Sequence, residues 1–250
     1  MIKLIKCEYL KTRRRYILPV TLGITAMYLA LLFYGEYSDD ALRQGWWALL
    51  YQLPLLNTMF MPILCIVVAS RLCGLEHKGA TFKQLFTLTS KGSLFTAKLI
   101  YGLGIITVPI LIQFAAIYIA GCYLGFGGVY PLNLYLIYLL STLLTTYAIY
   151  VFQHCMSMLF KNQAVSFFVG IGGEFTGLFS MFLPQIPCLR KILIWGYYGD
   201  MQFVGNNWDR ETRINDFYLM DINYAAFFII TTVAVLMYLI GKKLFTDKEV

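Results

Sequence analysis

Six apolar stretches, each long enough to cross a bilayer as a helix, are spread along the chain and leave few folds open to it. They run over about Ile17–Tyr34, Ala48–Ser70, Ala97–Leu124, Leu132–Phe160, Ala164–Pro184 and Asn223–Gly241. A hydrocarbon core about 30 Å thick takes about 20 helical residues. Backbone polar groups in lipid must be satisfied within the segment, so helices are the expected form. Composition agrees: 59% of residues are hydrophobic and 13% charged, where soluble domains carry about 25% charged residues. The basic run ahead of the first stretch has no small-residue cleavage site after it, so it reads as a retained anchor and not a signal peptide. With no internal repeat or low-complexity linker, residues 1–250 read as one all-α transmembrane domain.

A net charge of +7 raises the question of nucleic acid, but the placement of the charges answers it differently. With the N-terminus in the cytoplasm, fifteen of the twenty Lys and Arg residues fall on the inner side, among them Lys3, Lys11, Arg13, Arg14, Arg15, Arg71, Lys91 and Lys98. Arg43, Arg190, Lys191, Arg210 and Arg213 fall on the outer side. That asymmetry is the positive-inside pattern and puts both termini in the cytoplasm. The lipid bilayer is thus a partner and nucleic acid is not.

Motifs for chemistry are missing. The chain has no phosphate-binding GxxxxGK[ST], no HExxH and no GxSxG, and only two histidines, His77 and His154. No metal site is expected. His154, within Gln153-His154-Cys155, is better read as a polar residue bonded to a neighbouring helix than as a catalytic base. The six cysteines show no metal spacing; Cys122 and Cys188 both fall near the outer side, which leaves a disulfide between them open.

Two connections are too large to be plain links. The inner one, Arg71–Lys98, contains LEHKGATFKQLFTLTSKGSLFTAKL (Leu75–Leu99). On a helical wheel Leu75, Phe82, Leu85 and Phe86 share about 100° of arc, and Glu76, Lys83, Gln84 and Thr87 take another side. The reading is an amphipathic helix beneath the membrane with its polar face to the cytoplasm, serving either surface adhesion or docking of a soluble partner. Met1–Arg15 is a second, less regular candidate, with three consecutive arginines suited to anionic lipid. The outer connection, Gln185–Ile222, holds Trp195, Tyr197, Tyr198 and Trp208, aromatics suited to a re-entrant or interfacial segment. It also holds Asp200, Asp209, Glu211, Asp216 and Asp221, read either as a solvated face or as a surface that meets a cationic ligand.

The fifth stretch contains a carboxylate, Glu174, about ten residues deep. Its wheel places Ser166, Gly170, Gly173, Glu174, Gly177 and Met181 on one face, and Phe168, Ile171, Phe175, Phe179 and Phe182 on the other. A centred acid costs roughly 2.5–3.5 kcal/mol on insertion, so it faces a partner or a cavity. Three accounts stay open: a neutral packing residue, including at a dimer interface; a pathway residue that attracts cations; and proton coupling.

The basic N-terminus, six spans, the inner Glu76-His77-Lys78-Gly79-Ala80-Thr81 with Leu85, Ser90 and Lys98 after it, and the long outer region before the last span together resemble the ABC-2 type transporter permeases. GIGGEFTGLFSMFLP (Gly170–Pro184) and LRKILIWGYYGDM (Leu189–Met201) are most similar to the lantibiotic-immunity permeases among them. The resemblance implies a separate ABC ATPase that holds ATP and Mg, a second similar or identical permease, and a bacterial cytoplasmic membrane. It also implies a coupling helix at about Leu75–Leu88, through Leu75, Glu76, Lys78, Thr81, Phe82, Lys83, Leu85 and Phe86, and a substrate pathway along Glu174 and Gly170, Gly173 and Gly177. The expected function is ATP-driven removal of a cationic antimicrobial peptide from the membrane, with no cofactor in this chain. The competing expectation is an ATP-independent immunity or scaffold protein that binds peptide or lipid.

Overall fold

The computed structural model describes residues 1–13, 15–35, 38–79, 81–183, 185–209 and 215–248, without the side chains of residues 39, 40, 75 and 78. Arg14, Arg210, Glu211 and Arg213, and the side chains of Leu75 and Lys78, therefore lie outside the described residues.

Helix α1 (Ile2–Thr12) bends through 76° into α2 (Ile17–Leu32). A short α3 (Asp39–Arg43) leads into α4 (Gly45–Gly79), followed by α5 (Phe82–Leu88), α6 (Lys91–Leu124), α7 (Leu132–Leu159) and α8 (Gln163–Phe182). The outer connection folds as α9 (Pro187–Ile192), a 3-10 turn (Ile194–Gly196) and α10 (Tyr197–Asp200). Two strands, β1 (Val204–Trp208) and β2 (Asn215–Leu219), precede α11 (Tyr224–Asp247). Among the described residues α4, α6, α7, α8 and α11 are each long and apolar enough to span, and the bent α1–α2 pair, taken as one span, brings the number to six.

Four expectations need correction. The helix of the second apolar stretch does not end at Ser70, because α4 continues unbroken to Gly79. Its 35 residues amount to about 52 Å, well beyond the hydrocarbon thickness. The extra turns stay helical because Leu72, Cys73 and Glu76 are buried against the rest of the protein. As a result Leu75–Leu88 is not one amphipathic helix: Leu75, Glu76 and Lys78 end α4, and α5 starts only at Phe82. Likewise α6 starts at Lys91 and not at Ala97, with Ser90 as its N-cap, so Lys98 lies inside a helix. Finally, the helical architecture carries one local exception, the antiparallel β1–β2 hairpin with Asn206 opposite Phe217. Its Phe217 ring packs on Tyr51 of α4.

α7 is the central helix, packed on α4, α6 and α11. Four helices meet in a buried amide-hydroxyl layer, where Gln113 Nε2 donates to the Tyr28 hydroxyl at 2.7 Å and to Asn57 Oδ1 at 3.0 Å. Asn57 Nδ2 donates on to Thr142 Oγ1 at 3.0 Å. Where lipid offers no hydrophobic drive for helix association, such bonds and close packing hold the bundle. The six cysteines are free, and Cys122 and Cys188 are exposed and unjoined.

Candidate functional site

Two constellations stand out, one at each end of the bundle. At the end that carries the N-terminus, four charges from three distant segments converge. Lys98 of α6 is fully buried, and its Nζ donates to Glu8 Oε2 at 2.7 Å and to the Leu72 carbonyl at 3.0 Å. It lies 2.8 Å from Glu76 Oε1 of α4. Lys11 of α1 reaches the same two carboxylates, 3.0 Å from Glu8 Oε1 and 3.1 Å from Glu76 Oε1. Two positive and two negative side chains thus neutralise one another, which is what makes burial tolerable, since an unpaired ion would lose several kcal/mol of hydration. The Thr12 and Tyr101 hydroxyls, 2.6 Å apart, add a second tie between α1 and α6.

This clasp fixes the orientation of α1. The side facing the protein is polar, through Glu8 and Thr12, while Ile2, Tyr9 and Leu10 are exposed to the surroundings. Glu76, expected on a cytoplasmic polar face beside Lys83, is 2% exposed. Its second oxygen, Oε2, is buried without a hydrogen-bond partner, next to a groove of about 470 Å³ lined by Lys11, Arg15, Gln84 and Leu88 among others.

α5 forms the roof of this end. Phe82 is buried and stacks on Phe86; both rings pack on Phe245 of α11. Leu85 is half-buried, and Lys83, Gln84, Thr87 and Leu88 point outward. Thr81 is the N-cap position of α5 but offers no side-chain cap bond. His77 joins α4 to this layer, its Nε2 3.1 Å from the Ser157 carbonyl and its ring edge-on to Phe82. Burial pushes its imidazole below the usual histidine range, although the Ser157 carbonyl opposes the shift.

At the opposite end the outer connection enters the bundle. Ile194, Trp195, Tyr197 and Tyr198 are all buried. The Tyr198 hydroxyl lies 2.7 Å from Thr146 Oγ1, near the middle of α7, and the Trp195 ring packs edge-on to Phe152. The segment packs into the bundle, and it is fastened at its start by Arg190, which donates to the Ser180 and Met181 carbonyls at the end of α8. There it satisfies acceptors that a helix terminus leaves open. Trp208, by contrast, stays exposed on the hairpin.

Ser166, Gly170, Glu174, Gly177 and Ser180 form the buried stripe of α8, while Phe168, Phe175, Phe179 and Phe182 are exposed. The surface that closes over the stripe comes from this same chain. A β-carbon at Gly173 or Gly177 would collide with Trp195, and one at Gly170 with Ile66 of α4 and Gln153 of α7. Glu174 is 8% exposed, with Oε2 buried and without a partner, and no basic side chain pairs with it among the described residues. The Trp195 indole Nε1 is likewise buried and unpaired. No group of three or more His, Cys, Asp or Glu residues able to hold a metal occurs among the described residues.

Sequence reasoning located Glu76, Lys98 and Glu174 but missed Glu8. The available signal was a single acid in the otherwise basic Met1–Arg15, at i−3 from Lys11 and i−4 from Thr12.

A family model described as ABC-2 family transporter protein matches residues 4–177, which takes in the clasp, α5 and most of α8. No curated protein matches the chain.

Proposed function

The chain belongs to the ABC-2 transporter family, and from that premise we propose that it is the permease half of an ATP-driven exporter that clears a cationic, membrane-inserting peptide of the lantibiotic type. Membership makes it a membrane transport component with an ABC ATPase as partner. The rest is our reading: residues 1–250 form one permease domain that pairs with a second permease, similar or identical. The termini face the cytoplasm of a bacterial cell, and ATP and Mg stay with the partner.

The observation that carries the coupling half of this reading is the Glu8–Lys98–Glu76–Lys11 clasp. α5 offers an exposed polar face to a soluble partner, and its apolar side packs on α11 beside His77 of α4. Motion imposed on α5 reaches the end of α4, and the clasp carries it into α1 and α6 as one body. Buried ion pairs suit that task, because they tolerate no half-open geometry. Lys83 and Gln84 are the contacts we assign to the ATPase. Glu76 belongs to transmission and not to contact.

For the substrate half, Glu174 is the one acid on the buried stripe of α8. It is covered in this conformation, with Trp195 over the neighbouring Gly173 and Gly177. A cationic peptide would meet Glu174 once the re-entrant turn withdraws, while the exposed Asp216 and Asp221 supply attraction at the outer surface.

Affinity purification of the tagged chain in mild detergent, with mass spectrometry of co-purifying proteins, tests the reading. The expected result is a stoichiometric ATPase with a phosphate-binding loop, lost on Lys83→Glu while the permease stays folded. A folded chain that comes down alone would overturn the exporter and leave an ATP-independent peptide- or lipid-binding protein.

A further inference from the structure

The bend between α1 and α2 encloses a second cleft, of about 270 Å³, distinct from the groove under α5. The chain turns there through Tyr16, whose φ of 54° puts a non-glycine residue in the left-handed region. L-residues adopt that conformation only at a cost, so the elbow is imposed by what surrounds it. Its back wall is α6, through Tyr101 and Ile105, one turn apart on one helix face. The bond between Thr12 and Tyr101 pins α1 to this wall.

The lining changes character along the elbow. From α1 and the bend it is lined by Tyr9, Arg13 and Tyr16, and from α2 by Leu18 and Pro19, with Ile105 of α6 behind them. Tyr9, Tyr16, Leu18 and the next turn's Leu22 are exposed, so the cleft opens outward and not into the bundle, on the surface that a spanning helix turns to lipid. An occupant at this boundary needs a polar head and an apolar tail, which is the form of a phospholipid. Charge selects the kind. α1 and the bend carry Lys3, Lys6, Lys11, Arg13 and Arg15 against one acid, Glu8, and Glu8 is already held by Lys98 and Lys11. Arg13 forms no ion pair among the described residues.

We propose that this elbow binds one anionic glycerophospholipid from the leaflet on which α1 lies. Arg13 and the neighbouring tyrosine hydroxyls take the phosphate, and an acyl chain lies along Leu18 and Ile105. The site requires only that the chain sits in a membrane, and stands whether or not the exported substrate is a peptide. It also has a consequence for the clasp. α1 supplies Glu8 and Lys11, so a lipid that fixes the elbow fixes half of the charges on which transmission depends.

Native mass spectrometry of the intact protein, released from detergent containing equal palmitoyl-oleoyl phosphatidylglycerol and phosphatidylcholine, reads the site directly. One phosphatidylglycerol should be retained in preference to phosphatidylcholine. Arg13→Gln should lower that retention about tenfold, the loss expected for a charge-assisted bond. Arg15→Gln removes the same charge from the same helix end but lines the other groove, and should leave retention within about twofold. Leu18→Trp, at an exposed position, should fill the apolar end and reduce retention of either lipid. Equal losses in the two arginine variants would mean surface charge alone, and absence of a headgroup preference would mean no site; either overturns the proposal. Should Arg13→Gln fail to fold, photoactivatable phosphatidylglycerol on the unaltered protein decides: label on the Tyr9, Tyr16 or Tyr101 peptides supports the elbow, and label confined elsewhere overturns it.

Discussion

Lys98 is the residue on which the most structure depends. Its ammonium is fully buried between Glu8, Glu76 and the Leu72 carbonyl. Lys98→Met would leave two buried carboxylates sharing Lys11, and breaking a buried pair from one side costs about 3–5 kcal/mol. The triple replacement Lys98→Met with Glu8→Gln and Glu76→Gln removes the buried ammonium and both buried carboxylates and leaves only the part-exposed Lys11 charged, so it should recover most of that loss. Thermal unfolding in mild detergent separates the two; a triple variant no more stable than the single one would show that the residues matter through shape and not charge. If transmission runs through the clasp, the triple variant should be folded yet fail to couple ATPase turnover to export. Little of this was legible in the sequence. A helical wheel sorts a charge outward by default, and Glu8 and Lys98 are separated by 90 positions, so no local pattern reveals that each is the other's reason for burial. Glu174 was legible because its neighbours at helical spacing are glycine and serine, a narrow face that lipid would not favour.

At the scale of elements, α8 and the turn that carries Trp195 form one unit. Periodicity alone separated the small-residue face of α8 from its phenylalanine face, since both lie within one helix. What covers the small-residue face was not legible, because Trp195 arrives from a different segment. The same limit explains α4 and α5: the wheel shows amphipathicity on either side of Gly79 but not that the helix breaks there. The hairpin was hidden for a related reason, as Trp208 and Phe217 fit an interfacial loop as well as paired strands. Trp195 and its glycines should respond as a coupled pair. Trp195→Ala opens a void against Gly173 and Gly177 and should cost about 3–5 kcal/mol. Gly173→Leu forces a side chain into the indole and should destabilise by at least 1–3 kcal/mol. Combined, the new leucine occupies the space the indole leaves, so the double variant should be more stable than additivity predicts. Strict additivity in thermal melts of the three variants would mean that Trp195 and Gly173 are not in contact.

For the whole molecule, the long apolar helices were legible because hydropathy is set by composition over a whole stretch, and the helix ends were not, because α4 and α6 continue as helices beyond their apolar stretches. Orientation rests on charge. The basic excess at the end that carries the N-terminus survives removal of Lys11 and Lys98, which the clasp neutralises, because Lys3, Lys6, Arg13, Arg15, Lys83, Lys91, Lys161, Lys242 and Lys243 remain there. The outer side keeps few, and one of those, Arg190, is committed to the end of α8. The free cysteines make this orientation measurable without new mutations. Cys7 lies exposed on α1, whereas Cys122, near the end of α6, and Cys188, on α9, lie exposed at the opposite end; Cys65, Cys73 and Cys155 are buried. A membrane-impermeant maleimide applied to intact cells should label Cys122 and Cys188 and should reach Cys7 only after permeabilisation. Labelling of Cys7 alone in intact cells would invert the molecule, turn α5 and the clasp away from any cytoplasmic ATPase, and remove the physical basis for coupling through this end.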